Sequence, residues 1–172
     1  MKKTKSKSNS SSSFKGALVL AGIIFSIVAI TMFFVNFVKD NTSVIGPIEG
    51  FKLAFGYTKT QTTTLLGITT TTTLYTIPVI PLVLIGFILV AVALLGGLIS
   101  FFAKGNIGKI VLGASALCLV VAAVFFFICN INYAGVKEIE DTSKVGLEIG
   151  AILAGSYSAA GAVSFIGAAL LK

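Results

Sequence analysis

Side chains able to do chemistry are few in this sequence, and they do not form a recognisable set. The chain has no His, no Arg and no Trp, so its 13 basic residues are all Lys. Lack of His removes the commonest general base and metal ligand. Lack of Arg removes the bidentate clamp for phosphate and carboxylate groups. We therefore expect a non-enzymatic protein that needs neither a cofactor nor a metal ion.

The two cysteines, Cys118 and Cys129, occur in one apolar run of the chain. On a helix their separation corresponds to roughly 16 Å of rise, which is too far for a disulfide within one chain. No neighbouring residues complete a zinc or redox motif. The sequence predicts that both are small packing residues of a helix.

Carboxylates gather in one polar segment, at Glu138, Glu140 and Asp141. They could hold a divalent cation loosely, but the segment lacks the pattern of an EF-hand. The other interpretation is a solvated loop whose Asp141 caps the next helix. Glu148 is the one acid inside an apolar run, about one turn from the start of the last predicted helix. It is either an interfacial residue that complements the helix dipole or a buried functional carboxylate.

The elements that position these residues follow from composition. Of the 172 residues, 56% are hydrophobic and 11% are charged, whereas a soluble domain has about 25% charged residues. A soluble or disordered chain is thereby excluded. Each of four apolar runs reaches the length of about 20 residues that a transmembrane helix needs. The predicted helices are at about residues 16–38, 77–103, 109–131 and 145–171.

The first run also follows a basic segment, as a signal peptide would. It is longer than the apolar region of a signal peptide, and no cleavage site of small residues follows it. We therefore predict an uncleaved helix, preceded by a disordered basic tail at residues 1–15. The fold class is an all-α membrane protein, a four-helix bundle over residues 16–172.

Lysine placement predicts the orientation in the membrane. The N-terminal tail, the 104–109 link and the C-terminus carry lysines and no acid, whereas every acid falls in or beside the loops at residues 39–76 and 132–144. The positive-inside rule then makes both termini cytoplasmic in a multi-pass protein of the plasma membrane. Lysines spread over tails and a short link predict contact with anionic lipid, not nucleic-acid binding.

The first outer loop has strand character. Phe51, Leu53, Phe55 and Tyr57 alternate with polar or small residues, and this period of two predicts a strand. The threonine-rich residues 65–75 predict a second strand or, alternatively, the start of the second helix, since Thr can bond to helical carbonyls. We expect a small extracellular β element, with Phe51, Phe55 and Tyr57 as its contact residues.

Small residues recur every four positions in the last apolar run. They are Gly146, Gly150, Ala154, Ser158 and Ala162. Such lines let helix backbones approach closely in lipid. They indicate either packing within one bundle or self-association of two chains.

The plan of four helices, both termini inside and a larger first outer loop resembles claudin-like and tetraspan proteins in topology. The claudin Trp and Cys pair and the tetraspanin Cys-Cys-Gly motif are absent. The stretch GFKLAFGYT at residues 50–58, followed by a threonine-rich segment and a Pro-started helix, resembles small uncharacterised four-helix membrane proteins of low-GC bacteria. This resemblance implies the topology and no particular activity.

The function that these features favour is a structural or interaction subunit, or a scaffold, of a membrane complex. Its expected partners are the lipid bilayer and either further copies of itself or other membrane proteins. The alternative is an oligomeric channel or transport component. Four packed helices leave no lumen in one chain, so several copies would have to line it.

Overall fold

Long apolar helices dominate the computed structural model, which describes residues 6–43, 45–65, 68–103 and 105–171. The long helices are α1 (Ser6–Thr31), α3 (Pro81–Phe102), α4 (Asn106–Phe127) and α6 (Ile149–Leu170). Among the described residues, four helices are long and apolar enough to cross a membrane. The prediction of four long apolar helices that pack together is confirmed.

The four helices pack as a ring, in which each packs most extensively against two neighbours. Helix α6 packs between α1 and α4, and α3 completes the ring between the same two helices. Phe165 of α6 shows how close these helices approach, because its ring fills the space beside Gly22 of α1 and Gly97 of α3. A Cβ atom at Gly97 would lie 2.7 Å from the Phe165 ring, so a larger residue there would force the ring or the helices to shift.

Two small antiparallel sheets lie between α1 and α3. The first contains β1 (Asn36–Asp40), β2 (Gly46–Glu49) and, from the second loop, β5 (Val145–Leu147), in the order β2-β1-β5. The second is a hairpin of β3 (Tyr57–Leu65) and β4 (Ile68–Ile77). Two short helices, α2 (Gly50–Phe55) and α5 (Cys129–Val136), and two 3-10 turns, Met32–Phe34 and Thr142–Lys144, complete the described elements. We call the end of the bundle that carries the three-stranded sheet the sheet end.

Several predicted boundaries are corrected. Helix α1 begins at Ser6, inside the predicted disordered tail, and ends at Thr31, so that residues 36–38 of the first apolar run lie in a strand. Pairing of β1 with two other strands satisfies its backbone there. The third predicted helix is broken at Ile128, where α4 ends and α5 begins one residue later.

The interpretation of residues 51–57 as a strand was wrong over α2. Six residues there form a helical turn that buries Gly50, Leu53 and Ala54, which share one helical face. An alternating pattern this short fits a helix equally well. The strand interpretation of the threonine-rich segment is confirmed for Ile68–Ile77, and α3 begins at Pro81.

Candidate functional site

Strand β1 joins the two loops of the sheet end. It pairs with β2 through Val38 and Ile48 and with β5 through Val38 and Leu147. The backbone N–H of Glu148 also donates to the Phe37 carbonyl over 2.8 Å. Residues 145–147 were predicted as the start of the last helix, but they form β5 and α6 begins at Ile149; three residues are too few for a strand pattern in the sequence. The two loops therefore form one unit.

A buried carboxylate lies at the end of this central strand. Asp40 is 3% exposed and accepts hydrogen bonds from the Thr42 backbone N–H at 2.8 Å and the Thr42 hydroxyl at 2.6 Å. The Tyr133 hydroxyl of α5 donates to its other oxygen at 3.2 Å. Neither the contact of Asp40 with Tyr133 nor its contact with Thr42 was predicted from the sequence. The contact with Thr42 has a local signal, because an Asp two residues before a Thr favours a turn.

The pKa of Asp40 agrees with a structural role for its carboxylate. Burial would raise the pKa of Asp40, but the hydrogen bonds that Thr42 and Tyr133 donate outweigh it and hold the pKa below its ordinary value. Burial, together with the negative charge of Asp40, raises the pKa of Tyr133. Neutral donors thus stabilise the ionised carboxylate of Asp40. The donor from Tyr133 also holds α5 against the sheet.

The predicted loop aromatics lie beside the first helix. Phe51 stacks on Phe34 with ring centroids 5.9 Å apart, and Phe55 lies 4.7 Å from Phe51. We call Phe34, Phe51 and Phe55 the aromatic patch; all three rings are exposed. Phe34 ends the first candidate membrane span. The patch therefore lies at one end of the apolar bundle.

The hairpin of β3 and β4 has a fixed base and an exposed distal part. Ile77 is buried, and the N–H of Ile80 donates to the Leu53 carbonyl at 2.7 Å. The predicted contact residue Tyr57 lies at this base, exposed, with its ring 6.2 Å from Tyr75. Every described residue from Thr58 to Leu74 is exposed.

Threonine pairs line one face of this hairpin. The hydroxyls of Thr62 and Thr71 lie 3.3 Å apart, and those of Thr64 and Thr69 lie 3.2 Å apart. Cross-strand threonine pairs of this kind stabilise a two-stranded sheet. Leu65 and Ile68 pair at the end, 68% and 72% exposed. We call residues 60–65 and 68–73 the distal hairpin.

Most of the predicted small-residue line faces the inside of the bundle. Gly150, Ala154, Ser158 and Ala162 are buried within one chain, and a Cβ atom at Gly150 would lie 2.6 Å from the Asn36 carbonyl oxygen. Gly146 does not belong to the helix, because it lies in β5. The structure brings these residues together as a packing surface between α6 and its neighbours.

The remaining candidate groups are dispersed. Glu148 is half-buried at the residue before α6 and not one turn inside that helix. Asp141 caps the short 3-10 turn Thr142–Lys144, where it accepts from the Ser143 N–H at 3.1 Å. Cys118 is half-buried and Cys129 is buried. Within the described ranges, no three residues of the types His, Cys, Asp and Glu are close enough to hold a metal ion.

One apolar groove lies along the outside of the bundle between α3 and α4. Its volume is 290 Å³, and Gly96, Ala114, Ser115 and Cys118 are among the residues that line it. The Ser115 hydroxyl donates to the Val111 carbonyl of its own helix at 2.9 Å. The groove therefore presents an almost wholly apolar surface.

Comparison with known proteins adds no further assignment. No protein-family model matches the chain, and no curated protein or solved structure is significantly similar to it.

Proposed function

We propose that this chain is a non-enzymatic interaction subunit, or scaffold, of a membrane complex. In this proposal it crosses the plasma membrane four times with both termini in the cytoplasm. The sheet end then lies outside the cell and presents the distal hairpin to a partner. In the tails and the 104–109 link, every charged residue is a lysine. This charge distribution supports the proposed orientation.

The observation that carries the proposal is the distal hairpin itself. An isolated two-stranded hairpin is at best marginally stable in water, and its outer edges are templates for pairing with another chain. Here such a hairpin is held at its base by buried Ile77 and extends away fully exposed. A rigid base with an exposed, regular end suits binding through strand addition.

The sheet end supports a structural role for the rest of the loops. Asp40, the buried acid of this region, is engaged by Thr42 and Tyr133 in contacts that fix a turn and a helix. Backbone pairing of β1 with β5 ties the hairpin-bearing loop to the second loop. This arrangement holds the hairpin base in a defined position on the bundle.

Co-purification from native membranes tests the proposal. In the test variant, residues 61–72 are replaced by Asn-Gly, which closes Thr60 and Thr73 with a two-residue turn. The control variant, Val163→Leu, changes an exposed residue of α6 away from the sheet end. We expect the parent and control chains to retain a stoichiometric partner, either another protein or a further copy, and the shortened chain to lose it. Retention of the same partner by the shortened chain would contradict the proposal.

A further inference from the structure

The outer edge of β4 has a residue pattern that is complementary to itself. Residues 68–74 read ITTTTTL, so the same residue types follow Thr71 in both directions as far as Thr69 and Thr73, with Ile68 and Leu74 beyond. Strand β4 carries no charge, whereas β3 interrupts its threonines with Lys59 and Gln61. A strand of this composition lacks the charge and the proline that commonly protect an edge.

The register of the hairpin indicates which backbone groups of β4 point outward. In an antiparallel pair, directly opposed residues alternate between those that exchange both backbone hydrogen bonds and those that exchange none, whose side chains lie closer. Contact between the hydroxyls of Thr62 and Thr71, and between those of Thr64 and Thr69, identifies these as the close pairs. The N–H and C=O groups of Thr69 and Thr71 are therefore directed away from β3, and by the same alternation so are those of Thr73.

We infer that the partner of the distal hairpin is a second copy of this chain, joined by antiparallel pairing of the two β4 edges about Thr71. Thr71 then exchanges both backbone hydrogen bonds with Thr71 of the other copy, and Thr69 does so with Thr73. Ile68 lies opposite Leu74, which pairs the apolar ends of the segment. No like charges meet within β4, because the strand is uncharged.

This inference rests on the proposed function and names its partner. A two-fold interface uses the same surface of both copies, and antiparallel pairing of the β4 edge with itself does so. The symmetric order of residues around Thr71 then places threonine opposite threonine and Ile68 opposite Leu74. The resulting four-stranded sheet also resolves the marginal stability of a two-stranded hairpin, because three or more strands are needed for an independently stable sheet.

Disulfide trapping of the full-length protein in mild detergent tests the register. Thr71→Cys places the two residue-71 Cα atoms about 5.5 Å apart, within the range that a disulfide spans. Thr72→Cys is the matched control, since its two Cα atoms would lie roughly 8 Å apart. Native Cys118 and Cys129 remain in both variants, and the parent chain gives the background. We expect at least about fivefold more linked dimer from Thr71→Cys; equal linking of both variants would overturn the inference.

A charge placed at the two-fold axis tests the same contact without oxidation. Thr71→Lys brings two like charges together, whereas Thr63→Lys makes the same change on β3. We expect Thr71→Lys to raise the dimer dissociation constant at least about tenfold, measured by native mass spectrometry, and Thr63→Lys to leave it nearly unchanged. An unchanged dimer dissociation constant for Thr71→Lys would overturn the inference.

Two outcomes separate this inference from the proposed function. If the parent chain is monomeric at every concentration but retains another protein through the distal hairpin, self-pairing is wrong and the interaction role stands. If the parent chain is monomeric and the shortened hairpin changes nothing in co-purification, both are wrong.

Discussion

Tyr133 of α5 donates a hydrogen bond to the buried Asp40 carboxylate of β1 over 3.2 Å, across ninety-three positions of the chain. The contact joins the helix that follows α4 to the central strand of the sheet end. Since Tyr133 itself is fully buried, the pair is shielded from water. A hydrogen bond to a charged acceptor in such a site is worth more than one between neutral groups.

Removal of the tyrosine hydroxyl should destabilise the protein. Tyr133→Phe leaves the ring packing in place and deletes one donor to Asp40, so we expect a loss of about 1–3 kcal/mol. A thiol-reactive fluorophore can report thermal unfolding, because Cys129 is buried in the folded chain. Tyr157→Phe is the control, since the Tyr157 hydroxyl has no hydrogen bond to any described residue. Equal melting temperatures for Tyr133→Phe and the parent would contradict this role.

Stability should fall in acid through Asp40. Its pKa in the folded protein lies below the ordinary value of 3.8, so the folded state favours the ionised form. The stabilisation is therefore present above the ordinary value and is lost as the pH falls through the folded pKa. Melting curves from pH 6 down to about pH 2 should show this loss. In Asp40→Asn the acid-dependent part should be smaller; an unchanged pH profile would assign the loss to other carboxylates.

Substitution of Gly97 should disturb the packing of the four helices. Gly97→Ala adds a methyl group 2.7 Å from the Phe165 ring, and overpacking of this kind costs about 1–3 kcal/mol. Gly113→Ala is the matched control, because nothing lies within 4 Å of the added atom and alanine favours a helix. Melting in detergent should be lower for Gly97→Ala alone. A similar response of both variants would show that the Phe165 contact is not limiting.

Cysteine labelling in intact cells tests the proposed orientation of the bundle in the membrane. Thr63→Cys lies on the exposed hairpin and Asn106→Cys is exposed at the opposite end of the bundle. A membrane-impermeant maleimide should modify Thr63→Cys in intact cells and Asn106→Cys only after permeabilisation. The parent chain gives a low background, because Cys118 is half-buried and Cys129 is buried. The reverse labelling pattern would place the sheet end in the cytoplasm.

The sequence interpretation was most successful where one property of a segment decides its structure. Four apolar runs, with Glu148 near the start of the last as their one acid, predict four long helices, because backbone groups in lipid must be satisfied within the segment. Pro78 and Pro81 predicted a helix start near one of the two, since a proline in the first turn loses no hydrogen bond, and α3 begins at Pro81. The threonines of residues 68–77 predicted a strand, because β-branched side chains fit a pleated surface.

It failed where two segments distant in sequence determine each other. Residues 36–38 extend an apolar run and were assigned to a helix, but they form a strand because β2 and β5 pair with both of its edges. Asp40 was counted only among the acids of the outer loops, whereas it is buried and accepts hydrogen bonds from Tyr133 and Thr42. Neither the strand pairing nor the Tyr133 contact has a local signature, because each depends on a partner from another loop.

The amino-acid sequence by itself therefore determined four long helices that are apolar enough to cross a membrane, and the threonine-rich strands of the hairpin. Hydrophobicity and β-branching are properties of single residues, so a short segment of sequence is enough to predict their effect on secondary structure. Tertiary structure decided that the small residues of α6 face the inside of one chain, that the two loops share a sheet, and that the distal hairpin is exposed. Burial and edge pairing are properties of contacts between distant segments, and they arise when the chain is folded.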